Sequence, residues 1–164
     1  SIMNIQQIAE LLNKNHNDAI SIDEENNILN VKKDSWIEVA TDLKENNELS
    51  FDYLSCVTGY DLGVKKDLGV AYNFYSTNKK HSLEVRIEVE RENPIIPSIE
   101  KIWRIADWME REVFDLYGVK FENHWDLRRI LLPADWEGYP LRKDFKEPDY
   151  YNGMPIPKDK SYWE

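Results

Sequence analysis

"SLEVRIEVE", residues 82–90, decides the fold class. Leu83, Val85, Ile87 and Val89 fall on one side of an extended chain, and Glu84, Arg86, Glu88 and Glu90 on the other. A strand with one dry and one wet face belongs in an antiparallel sheet covered on one side only. The preceding stretch "GVAYNFYS", residues 69–76, places Val70, Tyr72 and Phe74 on one face, and "TNKKH", residues 77–81, supplies the turn of a hairpin. "FDYLSCVTGYD", residues 51–61, becomes a strand near its end. Upstream, "AISIDEENNILNV", residues 19–31, reads as two short strands around the polar turn Asp23–Asn27.

Helical patterns flank these strands. Asn4 opens the first, with Ile5, Ile8, Leu11 and Leu12 at helix spacing. Asp34 and Ser35 are N-cap candidates for the second, which turns Trp36, Val39, Ala40 and Leu43 inward and frays out by Asn46 and Asn47. Pro94 and Pro97 are expected to end the sheet, and Ser98 to cap a long helix running to Tyr117, with Gly118 as its stop. Its apolar stripe is Ile99, Ile102, Trp103, Ala106, Val113 and Tyr117; its wet stripe is Glu100, Arg104, Asp107, Arg111 and Asp115. Helices on the dry face of an antiparallel sheet give a two-layer α+β domain, assigned to residues 3–132, followed by an extended C-terminal arm, residues 133–164.

Composition narrows the function. Twenty-one Lys and Arg face 31 Asp and Glu, a formal charge of -10, so a nucleic-acid backbone would be repelled and no nucleic-acid partner is expected. Cys56 is the sole cysteine, which excludes intramolecular disulfides and any cluster or zinc site built on several cysteines. It is expected to fill space in an apolar strand, in a reducing compartment. No apolar run approaches the ~20 residues of a membrane span. Ser1 and Ile2 ahead of Met3 suggest a cloning remnant, and no signal peptide is expected.

Glu110 interrupts the apolar stripe of the third helix. A buried carboxylate must find a cation or donors, or hold a proton. Arg128 and Arg129 are the expected partners, and Glu110→Gln is expected to destabilise the fold or its assembly. His16, His81 and His124 are scattered and are assigned surface or capping roles; Glu112 and Asp115 are assigned to a solvated pair. No phosphate-binding loop, nucleophile elbow or metal-ligand spacing occurs, so the chain has no evident site for redox, hydrolysis or phosphoryl transfer.

The tail is built differently. Pro133, Pro140, Pro148, Pro155 and Pro157 forbid a long helix or a central strand, while Trp136, Tyr139, Leu141, Phe145, Tyr150, Tyr151, Met154, Ile156, Tyr162 and Trp163 stand between and around them. Ordering it costs roughly 1–2 kcal/mol per residue in backbone entropy. Each large apolar side chain returns about 1.5–3 kcal/mol on burial. Such an arm lies on another surface or stays mobile; part can cover its own domain, and the aromatics point to a partner's surface as well.

"ADWMEREVFDLYGVKFENHWDLRRILLPADWEGYPLRKDF", residues 106–145, closely resembles the signature of the 30 kDa subunit of respiratory complex I, the bacterial NADH:quinone oxidoreductase. Glu110, Arg111, Glu112, Asp115, Gly118, Phe121, His124, Asp126, Leu127, Arg128 and Arg129 match its first part; Gly138, Pro140, Leu141, Arg142, Lys143, Asp144 and Phe145 match its second. Trp125 stands where the family usually has Pro, and Tyr139 where it usually has His, so no role of that His transfers. The resemblance implies a peripheral-arm subunit with no cofactor of its own, flavin and iron–sulfur clusters lying in partner subunits. It implies packing against the 49 kDa-type subunit near the quinone site and against neighbouring iron–sulfur subunits, on the cytoplasmic face of a membrane-bound, ion-translocating complex. The implied interface holds Glu110, Arg111, Glu112, Asp115, His124, Asp126, Arg128, Arg129, Trp136, Tyr139, Leu141, Arg142, Lys143, Asp144 and Phe145, none of them catalytic or metal-binding. The alternative is the equivalent subunit of a membrane-bound [NiFe] hydrogenase or of a complex-I-like dehydrogenase fed by ferredoxin or by F420, a deazaflavin.

Overall fold

The computed structural model describes residues 2–156; Pro157, Tyr162 and Trp163 of the expected arm lie outside the described residues. In chain order the elements are α1 (Ile5–His16), β1 (Ile20–Asp23), β2 (Ile28–Val31), α2 (Trp36–Glu45), β3 (Tyr53–Asp61), β4 (Leu68–Tyr75), β5 (Ser82–Val89), β6 (Ile95–Pro97), α3 (Ala106–Tyr117), β7 (Lys120–Glu122), β8 (Tyr150–Tyr151) and β9 (Met154–Pro155). The first five strands form one sheet in the order β1-β2-β5-β4-β3, and the fold is α+β. The alternation of β5 is realised: Leu83, Val85, Ile87 and Val89 are buried while the residues between them face solvent in part. All pairings in this sheet are antiparallel except one, the parallel β2–β5 pair. Alternation within a strand says nothing about the direction of a neighbour drawn from far along the chain, as Ile28 is when it pairs with Glu84.

The inward faces of the sheet and of the three helices share one core. Its centre is aromatic: the Trp36 ring lies 4.8 Å from Tyr72 and 6.2 Å from Phe74, and Phe74 lies 4.9 Å from Trp103. α1 begins as the sequence requires, with the Gln7 N–H donating to Asn4 Oδ1 (2.9 Å) and the Asn4 N–H donating to Gln7 Oε1 (3.0 Å). At α2 the expected cap is not used. Ser35 makes no side-chain cap bond, and a 3-10 turn over Lys33–Ser35 leads into the helix instead.

The third helix differs most from its expected course. It begins at Ala106, not after Ser98, and residues 99–105 form tight turns in which Ile99 O accepts the N–H groups of Ile102 (3.0 Å) and Trp103 (2.9 Å). A run of turns rather than a helix follows Ser98, whose hydroxyl accepts the Glu100 N–H at 3.2 Å. The Ser98 N–H donates to Glu122 O (2.9 Å), and its hydroxyl donates to Glu110 Oε2 (2.6 Å). Pro94 and Pro97 therefore do not end all pairing: Ile95–Pro97 runs parallel to Lys120–Glu122 as a second, two-stranded sheet. The far end is as expected. Gly118 takes φ 75° and its N–H donates to Phe114 O at 2.8 Å. Cys56 sits half-buried in β3.

Because Trp36 is fully enclosed by this aromatic group, Trp36→Ala should cost about 3–5 kcal/mol in a urea titration of the chain. A loss under about 1 kcal/mol would remove Trp36 from the centre of the core.

Candidate functional site

The second half of α3 and the segment that follows form one polar assembly. Asp115, expected on the wet stripe and in a solvated pair with Glu112, is fully buried. Its Oδ1 lies 3.2 Å from Arg129 Nη1, and its Oδ2 accepts the N–H groups of Ile130 (3.1 Å), Leu131 (2.6 Å) and Leu132 (3.0 Å). The chain after the helix folds back over that face, which is why a polar stripe became an interior one. Glu112 is separate and accepts the Trp108 indole N–H at 3.0 Å.

Arg129 continues the assembly into the arm. It donates to Gly138 O, and its guanidinium lies 4.9 Å from the centre of the Tyr139 ring. Arg142 lies against the same ring at 4.9 Å, so Tyr139 sits between two cations. Arg142 Nε donates to Tyr117 O (2.6 Å) and the Leu141 N–H donates to Leu116 O (3.0 Å), which satisfies carbonyls left open at the end of α3. Burial, and then the charge of Arg91, push the Arg142 pKa below its ordinary value. Gly118 is required twice over here: a Cβ added to it would stand 2.5 Å from the Tyr139 ring and 2.8 Å from Arg142 Nη2.

A third set of contacts ties the arm to the sheet. Arg91, 8% exposed, pairs with Asp61 and, at 3.1 Å, with Asp144. Asp61 Oδ2 accepts the Lys143 N–H (2.8 Å), and Oδ1 accepts the Gly63 N–H (2.9 Å). Burial raises the Asp61 pKa, but these two N–H groups and Arg91 outweigh it and hold the carboxyl below its usual range. Gly138, at φ 85°, lets the Phe145 ring approach to 2.9 Å of the position a Cβ would take.

The first half of α3 and the 124–128 segment bring together the remaining signature residues. Arg111, expected on the wet stripe, is buried, with Nη2 at 2.9 Å from Asp107 and 3.4 Å from Asp126. The exposed Trp125 ring lies over its guanidinium at 5.2 Å, and the Trp125 indole N–H donates to Asp107 Oδ2 (2.8 Å). Arg128 is exposed and pairs with Asp126 at 3.1 Å. The histidines are not surface groups. His16 pairs with Asp42, His81 is buried against Met3 and Leu49, and the His124 side chain is fully buried beside Asp107.

Glu110 is buried, as its place in the apolar stripe implies, but neither Arg128 nor Arg129 reaches it. Ser98 Oγ donates to Oε2 (2.6 Å) and the Ile99 N–H donates to Oε1 (2.9 Å). Burial first, with help from Glu100 and Asp107, pushes its pKa up to about 8 against the pull of those two bonds. Trp136, on the arm, packs 5.4 Å from Tyr151, whose hydroxyl donates to Asp135. Asp61, Arg91, Asp107 and Ser98 were missing from the sequence-based site. Asp107, four residues before Arg111, was the only one with a local signal.

Large apolar side chains remain uncovered around this assembly: Trp108, Trp125, Leu131 and Leu141 are each about half exposed or more. Among the described residues no group of three or more His, Cys, Asp or Glu side chains is placed to hold a metal ion, and no helix is long and apolar enough to cross a membrane. The profile of the family described as "Respiratory-chain NADH dehydrogenase, 30 Kd subunit" matches residues 29–151. The chain belongs to that family. Two relatives within the family are each called the C subunit of NADH-quinone oxidoreductase. One, from Chloroherpeton thalassium, is 48% identical over 125 residues, 76% of this chain and 52% of the relative. The other, from Chlorobium phaeobacteroides, is 39% identical over 125 residues, 76% of this chain and 75% of the relative. The chain thus spans about half the length of the first relative. A trypsin-resistant fragment (1–134) of Nqo5 superposes with a TM-score of 0.61 at 25% identity, covering 76% of this chain and 100% of the fragment. A chain of the archaeal membrane-bound sulfane sulfur reductase shares the fold, with a TM-score of 0.70 at 20% identity, covering 86% of this chain and 85% of that one.

Two buried carboxylates of this family member, Asp115 and Glu110, respond differently to amide replacement. Asparagine at 115 offers one oxygen where the site asks for two and leaves Arg129 without a counter-charge. Asp115→Asn should therefore cost about 3 kcal/mol or more and speed tryptic cleavage after Arg128 and Arg129; digestion at the wild-type rate would contradict this. Folded Glu110 holds a proton that the unfolded chain releases above its ordinary value of 4.5. Stability from this group is therefore fully present below that value and falls as pH rises toward the folded pKa of about 8. Gln mimics the protonated form, so Glu110→Gln should flatten this decline in melting temperature between about pH 4.5 and about pH 8, where the sequence alone suggested destabilisation. Parallel pH profiles for the two proteins would contradict the assignment.

Proposed function

We propose that this chain is a subunit of an NADH:quinone oxidoreductase of the complex I type, carrying no cofactor itself and scaffolding the large subunit that forms the quinone site. In this reading flavin and iron–sulfur clusters belong to partner subunits, electrons pass from NADH to quinone through them, and ion translocation takes place in the membrane part. The chain reaches the cytoplasmic face of the membrane through its partners. The observation that carries the reading is the family match over residues 29–151, which includes the whole ERE…HxDLRR…PLRKDF pattern.

The geometry supports a docking role for that pattern. Asp115, Arg129, Arg142 and Arg91 hold it against the body, while Trp108, Trp125, Leu131 and Leu141 stay open to solvent. Exposed Trp side chains beside arginines are the usual anchors of protein interfaces, with neighbouring aliphatic groups completing the contact. An equivalent subunit of a membrane-bound [NiFe] hydrogenase, or of a dehydrogenase fed by ferredoxin or F420, is the second reading. The likeness to the sulfane sulfur reductase chain is one of fold, whereas the sequence relatives named above are NADH-quinone oxidoreductase subunits.

Affinity purification from the source organism tests the proposal. The tagged chain should bring down the quinone-site subunit with flavin- and cluster-bearing subunits, and deleting residues 134–164 should weaken that capture. Recovery of a large subunit with nickel-ligating cysteines would move the assignment to the hydrogenase class. Intrinsic NADH oxidation by the purified chain would overturn the scaffold role.

A further inference from the structure

His124 lies inside the signature, and both of its ring nitrogens are engaged. Nδ1 accepts the Asp126 N–H at 3.1 Å, so in the neutral ring the proton sits on Nε2. Nε2 points at the Asp107 carboxylate (3.0 Å) and the Asp107 carbonyl (3.1 Å), with Glu110 Oε2 at 3.9 Å. The charged and titratable groups facing the ring are thus Asp107 and Glu110 of α3 and Asp126 of its own turn. Arg111 bridges Asp107 and Asp126 behind them.

A second proton can enter only at Nδ1, where the Asp126 N–H already points. Two donors cannot face one another in a hydrogen bond, so protonation must expel that N–H and alter the turn. The ring is fully buried, so the turn must give way if the imidazolium is to keep Asp107 and lose its clash with the Asp126 N–H. The same turn carries Trp125, whose indole holds Asp107 and covers Arg111, and Asp126, which pairs with Arg128.

We propose that His124 is a proton-operated latch on the 124–126 turn: neutral, it keeps the turn closed on α3; protonated at Nδ1, it releases Asp126 and, with it, Trp125 and Arg128. Any effect on partner capture rests on the proposed docking role of this surface. The latch itself is read on the isolated chain, so the two can fail separately.

The test uses the full-length chain, 15N-labelled, with the Asp126 amide and the Trp125 indole N–H followed from about pH 7 to about pH 5.5, below the Glu110 titration near 8 and above the range in which ordinary carboxylates titrate. Both signals should move together on one curve, and the Asp126 amide should lose protection from exchange at the acid end. His124→Asn supplies Oδ1 as the acceptor and has no proton to gain, so it should give flat traces. Asp107→Asn removes the attracting anion and should shift the curve to lower pH. Glu110→Gln should leave the acid-side curve in place. A static wild type, a response that persists in His124→Asn, a curve unmoved by Asp107→Asn, or one abolished by Glu110→Gln would each overturn the latch.

Discussion

The carboxylate of Asp115 pairs with Arg129 and accepts three consecutive backbone N–H groups, and the course of the chain beyond α3 depends on that arrangement. A buried anion costs several kcal/mol unless its lone pairs are met, and here both oxygens are met by one short segment. The dependence runs both ways: without the anion, three adjacent N–H groups would turn inward with no acceptor. Helix and loop therefore fix each other. From this point Arg129 reaches the Tyr139 ring, Arg142 packs on the same ring and closes the helix end, and Arg91 joins Asp144 to the sheet.

This order explains how a proline-rich stretch with no periodic pattern can lie on the body. Its backbone is held at Gly138, Leu141 and Lys143 by groups on other elements. Its apolar side chains do not all turn inward. Leu131 and Leu141 stay exposed beside Trp108 and Trp125, so the interior of the assembly sets the shape and the exterior supplies the contact surface. The family signature accordingly divides into residues that face in, such as Glu110, Asp115 and His124, and residues that face out, such as Arg128 and Leu141.

The α+β class was legible because alternation in residues 82–90 and helical spacing in the first two helices are local properties. The parallel β2–β5 and β6–β7 pairs were not, since pairing direction depends on distant partners. Ser98 carried the right chemistry for a cap, and its hydroxyl does accept the Glu100 N–H, but the chain it caps forms turns and the helix starts only at Ala106. The burial of Glu110 could be read from its place in the stripe. Its partners could not, because nearness in sequence favoured Arg128 and Arg129, which the fold directs to Asp126 and Asp115. Likewise the bonds from Arg91 to Asp144 and from Lys143 to Asp61 span 53 and 82 residues and leave no local mark.

Amide hydrogen exchange on the isolated chain tests most directly whether this polar assembly folds the signature onto its own body without any partner. The N–H groups of Ile130, Leu131 and Leu132, which donate to Asp115, and those of Leu141 and Lys143, which donate to Leu116 and Asp61, should exchange slowly. Exchange at all five positions as fast as in an unfolded chain would contradict the account.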